Sequence, residues 1–221
     1  MVVGCPIVAS NKAEERKARE NLEARLRSYE QAQQKQPASV MTFVDKSPED
    51  ERLQRTDTDI REAVNLWCSD RASAERKYGH ISRWDVSNVT SMYLMFFSAT
   101  NFNQDLSSWD VSNVTIMTQM FHAASSFNQD LNNWDVSSVT DMNCLLCGAS
   151  NFNGDVSDWD VSSVMNMAQV FSGSSFNGDI SNWDVSSATS MWRMFLNNPS
   201  FNGDISNWDV SSVTEMSSMF Q

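Results

Sequence analysis

The sequence predicts an α/β repeat fold: a right-handed solenoid of about six 25-residue units, each a strand, a turn and a short helix. Three observations carry that expectation. Tryptophan recurs at 84, 109, 134, 159, 183 and 208, so the spacing is 25 except for one interval of 24. A methionine follows eight places later every time, at 92, 117, 142, 167, 191 and 216. Around these markers whole sentences repeat, as in "FNGDISNWDVSSVTEMSSMF" at 201–220 and its near-copies beginning at Phe102, Phe127, Phe152 and Phe176. A fixed period of this length marks a repeat architecture, and it is too short for a propeller blade. One unit cannot bury its own Trp, Val, Met and Phe, so each copy serves as the floor for the next.

Within a unit, Ile205, Trp208 and Val210 (Leu106, Trp109 and Val111 four units earlier) give L-x-x-L-x-L, the strand signature of a leucine-rich repeat. A strand over 205–210 turns Trp208 and Val210 to one side and Asn207 and Asp209 to the other. Val213, Met216, Met219 and Phe220 then fall at i, i+3, i+6 and i+7, the apolar face of a short helix. Ser211 or Ser212 is placed to cap its start. The 24-residue unit is short by one residue between Phe171 and Phe176, in the return loop.

Before the array, residues 56–79 read as a helical N-terminal cap. Ile60, Ala63, Val64 and Trp67 share one helical face, Ser69 or Asp70 can cap a second helix, and Gly79 can stop it. Residues 1–55 read as a polar helical arm and linker, mobile or partner-bound: 11–35 is rich in Ala, Glu, Arg, Lys and Gln but has little to bury. The array itself is 80–221. Its last unit stops after Met219-Phe220 with no return segment. An uncovered apolar layer is expected there, with chain continuation or end-to-end self-association to cover it.

Charge narrows the partner. The net charge is −12, and all of the excess lies in 80–221, where 14 acidic residues face only Arg83 and Arg193. Such a surface repels phosphate backbones, which argues against nucleic acid. No apolar run is long enough to cross a bilayer. The opening "MVVGCPIVAS" has no basic residue before its short apolar stretch, so it is a poor secretory signal.

Two carboxylate columns stand out. Asp105, Asp130, Asp155, Asp179 and Asp204 lie four places before the Trp. Asp110, Asp135, Asp160, Asp184 and Asp209 follow it directly and define the expected binding face. The leading reading is that each Asp accepts backbone N–H bonds in its own turn. Calcium shared along the first column is the alternative, and no other cofactor is expected. The Asn column at 103, 128, 153, 177 and 202 is expected to bond from one unit to the next. Cys144 and Cys147 form a lone C-x-x-C without a second pair or a His nearby in sequence. A four-ligand zinc site lacks ligands there, so the pair reads as incidental. His80 and His122 are far apart in the chain, and no nucleophile–base order or phosphate loop is present, so no enzyme activity is expected.

The motif F-N-x-D-[IL]-S-x-W-D-V-S-x-V-T-x-M-x-x-M-F resembles the repeats of BspA-like leucine-rich-repeat surface proteins. It is closest to a branch catalogued as a domain of unknown function in bacterial lipoproteins and surface proteins. The resemblance covers about 59–221 and departs at "MNCLLCG" (142–148), where Leu145-Leu146 replaces Met-Phe. It implies display at a cell surface or secretion, with adhesion or protein binding, and it brings no catalytic residue. The absence of a visible signal peptide leaves an intracellular location as the alternative. The expected function is a non-enzymatic module that binds a protein or glycan through a repeated acidic surface. A structural spacer or an ice- or mineral-facing repeat is the second reading.

Overall fold

The computed structural model describes residues 53–221. The arm expected over 1–55 lies outside the described residues except for its last three, and those three do not behave as a linker. Gln54–Thr56 is a strand, β1, and Leu53 packs on the core. Arg55 is buried, its guanidinium 4.6 Å from the Tyr78 ring centroid, and Nη1 donates to Asp59 at 2.6 Å. Helix α1 (Ile60–Ser69) buries Ile60, Ala63, Val64 and Trp67, the four residues of the apolar stripe. Helix α2 (Arg71–Tyr78) starts at Asp70, whose carboxylate accepts the Ser73 N–H at 3.1 Å, and stops at Gly79 with φ 75°. After a 3-10 turn over Ile81–Arg83, strand β2 (Asp85–Asn88) pairs parallel with β1.

From there on the repeats differ from the expected strand and short helix. Among the described residues neither the segments equivalent to 205–210 nor those equivalent to 213–220 form a regular strand or helix beyond β2. The chain turns instead. In the second repeat Trp109 donates to Leu106 O, Val114 to Val111 O, Met120 to Met117 O, Ala124 to Phe121 O and Phe127 to Ala124 O, at 2.8–3.1 Å. Both members of every pair are buried. Apolar side chains point inward at the first and last residue of each turn while the two between them loop out. Turns closed three residues apart leave the same i, i+3 spacing that a helix would.

A helix is blocked by left-handed residues four apart. Gln119 and Ala123 both have φ 56°, as do their equivalents Leu94 and Ser98 (56° and 55°) and Arg193 and Asn197 (both 55°). For non-glycine residues this costs about 1–2 kcal/mol each. It also flips alternate peptide units, and the flipped groups bond to the next repeat. Met117, Gln119, Phe121 and Ala123 donate to the carbonyls of Asp141, Asn143, Leu145 and Cys147 at 3.0, 2.8, 2.8 and 2.7 Å. Four bonds at about 1 kcal/mol each are of the size needed to offset the strain. At two equivalent places, Gly148 (φ 70°) and Gly173 (φ 65°) adopt the geometry without that penalty. Parallel bridges therefore run Ser91–Ile116–Asp141–Asn166–Ser190–Glu215, and the short step of 24 falls between Asn166 and Ser190.

Equivalent side chains stack into columns. Phe102, Phe127, Phe152 and Phe176 lie 5.9–6.1 Å apart with nearly parallel rings. Trp159 and Trp183 lie 6.1 Å apart at 9°. From Trp109 to Trp208 each indole N–H of the column reaches back one repeat, as Trp109 does to Ile81 O at 2.9 Å and Trp159 to Leu131 O at 2.8 Å, while Trp84 donates to Gly79 O at 3.1 Å, so these buried donors are satisfied. Leu145 and Leu146 are fully buried in their Met-Phe places.

At the N-terminal end, cap residues stand in for a missing repeat. In inner repeats the threonine N–H donates to the previous repeat's carbonyl, as Thr115 does to Thr90 O at 2.9 Å. Thr90 has no such neighbour, and the Asp57 carboxylate accepts its N–H (2.9 Å) and hydroxyl (2.6 Å) and the Ser91 N–H (3.1 Å). Likewise Thr118 O accepts from the preceding repeat's Leu94, whereas Tyr93 O accepts from Arg61 Nη1 at 2.7 Å. In the last repeat Val210, Met216 and Phe220 are exposed, while their equivalents Val185, Met191 and Phe195 are buried.

Candidate functional site

The expected binding face is exposed but structurally committed. Asp110, Asp135 and Asp160 each accept the backbone N–H and hydroxyl of the serine two residues on, at 3.0–3.1 and 2.6 Å. Asp184 and Asp209 accept the Ser186 and Ser211 N–H groups at 3.0 Å. Of the other column, Asp105, Asp155, Asp179 and Asp204 accept the corresponding N–H in the same way, while Asp130 accepts the N–H of Asp155. These bonds favour the charged form, so hydrogen bonding to Ser107, Ser137, Ser181 and Ser206 holds Asp105, Asp135, Asp179 and Asp204 below the usual carboxylate range. The Asn column also bonds from repeat to repeat: Asn103, Asn128, Asn153 and Asn177 each accept the next Asn's N–H at 2.7–2.9 Å.

These columns recur from the second repeat onward and carry little information that differs along the array. The laddered segment does the opposite. One place after the methionine stand Tyr93, Thr118, Asn143, Ala168, Trp192 and Ser217, of which Tyr93, Thr118 and Ala168 are buried and the others at least partly exposed. Two places after come Leu94, Gln119, Cys144, Gln169, Arg193 and Ser218, and five places after come Phe97, His122, Cys147, Ser172, Leu196 and Gln221. The ladder bonds hold these side chains in rows at a fixed register. The face mixes half-buried Trp192, Arg193 and Leu196 with exposed Phe97, and the exposed Met165 lies beside it in sequence. Near the N-terminal end, a cleft of about 380 Å³ lies against it, lined by Trp67, Arg71, Phe97 and Phe102 among others.

In the middle of this face the structure corrects the reading of Cys144 and Cys147. His122 is 22 residues from Cys144 in the chain but one repeat away in space, directly in the Cys147 column. The His122 nitrogen and the Cys144 and Cys147 sulfurs lie within 4.8 Å of one another. Among the described residues this is the group of three His, Cys, Asp or Glu ligands that converges on one point, and neither Asp column contributes to it. The His122 ring stacks on Phe97 at 4.9 Å and 6°. Cys144 is buried with Sγ 3.5 Å from Gln169 Oε1, and Cys147 is half-buried. Hydrogen bonding from the Cys144 thiol, helped by His122 and Ser172 and opposed by burial, pushes the Cys147 thiol well below its ordinary range. A signal was present in the sequence: adding one period to 122 gives 147.

Residues 68–175 and 148–221 each match the family described as DUF285, Mycoplasma protein of unknown function. No curated protein and no solved structure matches the chain. The two matched stretches overlap and run from the end of α1 through α2 and every repeat, well over half of the sequence, and the chain belongs to the DUF285 family.

Proposed function

We propose that the array is a non-catalytic binding module, a leucine-rich-repeat-like solenoid displayed at a cell surface or secreted, whose partner is a protein or a glycan. The observation that carries this reading is where the repeats differ. Core and turn residues are copied from unit to unit, whereas the laddered face changes its side chain at nearly every step. A surface held rigid at constant register while its chemistry varies is suited to recognising one particular partner. The acidic columns are exposed and give the array fixed negative charge, which favours partners with basic surfaces and speeds their encounter. The resemblance to BspA-like surface proteins supports adhesion as the setting. Solenoid repeats commonly use extended faces in this way.

The lattice-facing alternative finds less support. A threonine row runs through Thr90, Thr115, Thr140, Thr189 and Thr214, but the exposed Met165 interrupts it. The hydroxyls of Thr189 and Thr214 are also turned back onto the preceding repeat's carbonyls, both at 3.0 Å.

The test is binding of the full chain to immobilised basic, neutral and acidic proteins and glycans. A Trp192→Ser/Leu196→Ser variant is compared with an Asp110→Asn/Asp135→Asn variant, each checked for an unchanged melting temperature. Loss of binding in the first variant, with a salt-dependent weakening in the second, is expected. Binding that ignores the first variant, or an absence of binding across the panel, rejects the recognition face.

A further inference from the structure

We propose that His122, Cys144 and Cys147 form a binding site for a soft divalent transition-metal ion of the zinc type, with a fourth coordination position left open. Two thiols and an imidazole are the ligand set such ions select, and the absence of a converging carboxylate cage excludes a calcium-type site at this place. With bonds of about 2.3 Å to sulfur, ligand atoms around a tetrahedral ion stand about 3.8 Å apart. The three atoms here already lie within 4.8 Å of one another, so binding needs side-chain adjustments of an ångström or less.

The backbone holds the three residues in place independently of any ion. Cys144 and Cys147 flank a turn closed by the Cys147 N–H on Cys144 O at 3.3 Å. Cys144 N–H is tied to Ala168 O at 2.9 Å on one side, and Cys147 O accepts from Ala123 N–H at 2.7 Å on the other. His122 occupies the row before Cys147, with its carbonyl accepting from Ser98 at 2.7 Å and its ring backed by Phe97. Ligands on a hydrogen-bonded ladder are more precisely placed than ligands on a loop. Gln169 of the following repeat accepts from the Cys144 thiol through Oε1 at 3.5 Å, and with its amide turned over the same side chain can donate Nε2–H to the thiolate that a metal requires. The same two columns carry Leu94 and Phe97 in the first repeat and Arg193 and Leu196 in the fifth, so the ligand set is a local feature of the central repeats. Because the site lies within the variable face, an ion with an open position can take a ligand from a bound partner.

The experiment uses the full chain with Cys5→Ser and Cys68→Ser, kept reduced and titrated with cobalt(II) and then zinc(II). The expected result is one equivalent of cobalt showing a thiolate charge-transfer band and the strong visible absorption of a tetrahedral ion, bleached by one equivalent of zinc. Cys147→Ser and Cys144→Ser each abolish the band. His122→Ala lowers cobalt affinity at least tenfold, with the circular dichroism and melting of the metal-free protein unchanged. Gln169→Ala retains the stoichiometry and shifts the band, which keeps the test decisive if a cysteine variant folds poorly. No thiolate band at millimolar cobalt, or a band that persists in a folded Cys147→Ser variant, overturns the site.

Discussion

Removing the Asp57 carboxylate tests whether the cap imitates a repeat. Asp57 accepts three hydrogen bonds from the first repeat, and one donor, the Ser91 N–H, belongs to a buried residue. In the inner repeats a backbone carbonyl fills this place, so Asp57→Ala leaves two adjacent amides and a hydroxyl without their acceptor. Hydrogen bonds contribute about 1 kcal/mol each, and water can replace part of what is lost at the more exposed Thr90. The expected destabilisation is therefore about 2 kcal/mol, which for a chain of this size lowers the melting temperature by about 4–8 °C. Asp57→Asn retains one carbonyl oxygen and should lose about half as much. Thermal melting followed by tryptophan fluorescence measures the loss, and hydrogen exchange at Thr90 and Ser91 places it at the cap. Asp160→Ala is the comparison, since it removes only a local turn acceptor on the surface, worth about 1 kcal/mol. If Asp57→Ala costs no more than Asp160→Ala, or if exchange at Ser91 is unchanged, the carboxylate does not replace a carbonyl of the ladder.

Trp159→Ala should cost about 3–5 kcal/mol, because the ring is buried, stacked on Trp183 and bonded to Leu131 O; Asn207→Ser on the exposed side should cost little, and equal losses refute the core assignment. Because serine hydrogen bonds hold Asp105, Asp135, Asp179 and Asp204 below their unfolded values, their stabilisation is complete above about pH 4 and is lost as pH falls through the folded values. The melting temperature should therefore drop on acidification below about pH 4; a rise would mean that repulsion within the columns outweighs the turn bonds. If turn bonds alone hold the first column, millimolar calcium should raise the melting temperature no more than sodium at matched ionic strength, whereas a calcium-specific rise would support the shared-ion reading of that column.

The period, the inward Trp, Val, Met and Phe, the helical cap and the Asn column were legible because each leaves a repeated mark at a fixed spacing. What the spacing did not distinguish was the element beneath it. Val111 and Val114, and again Met117 and Met120, are three apart because a turn closes between them, and a helical face has nearly the same interval. The deciding feature, a pair of left-handed residues four apart, is announced by glycine only at Gly148 and Gly173 in the Ala123 column and by none in the Gln119 column. The cap's start was misplaced for a related reason: Arg55 resembles its charged neighbours, yet it is buried over Tyr78. His122 escaped notice because ligand motifs are read along the chain, while here the partners meet across it.

The cross-repeat ladder, on which the variable face and the His122–Cys144–Cys147 cluster both depend, is tested most directly by NMR scalar couplings through hydrogen bonds. Couplings are expected from the Gln119 nitrogen to the Asn143 carbonyl carbon, from Phe121 to Leu145 and from Ala123 to Cys147, with Met120 coupled to Met117 within its turn. Couplings from Phe121 and Ala123 to carbonyls four residues earlier would show a helix over this segment and contradict the ladder.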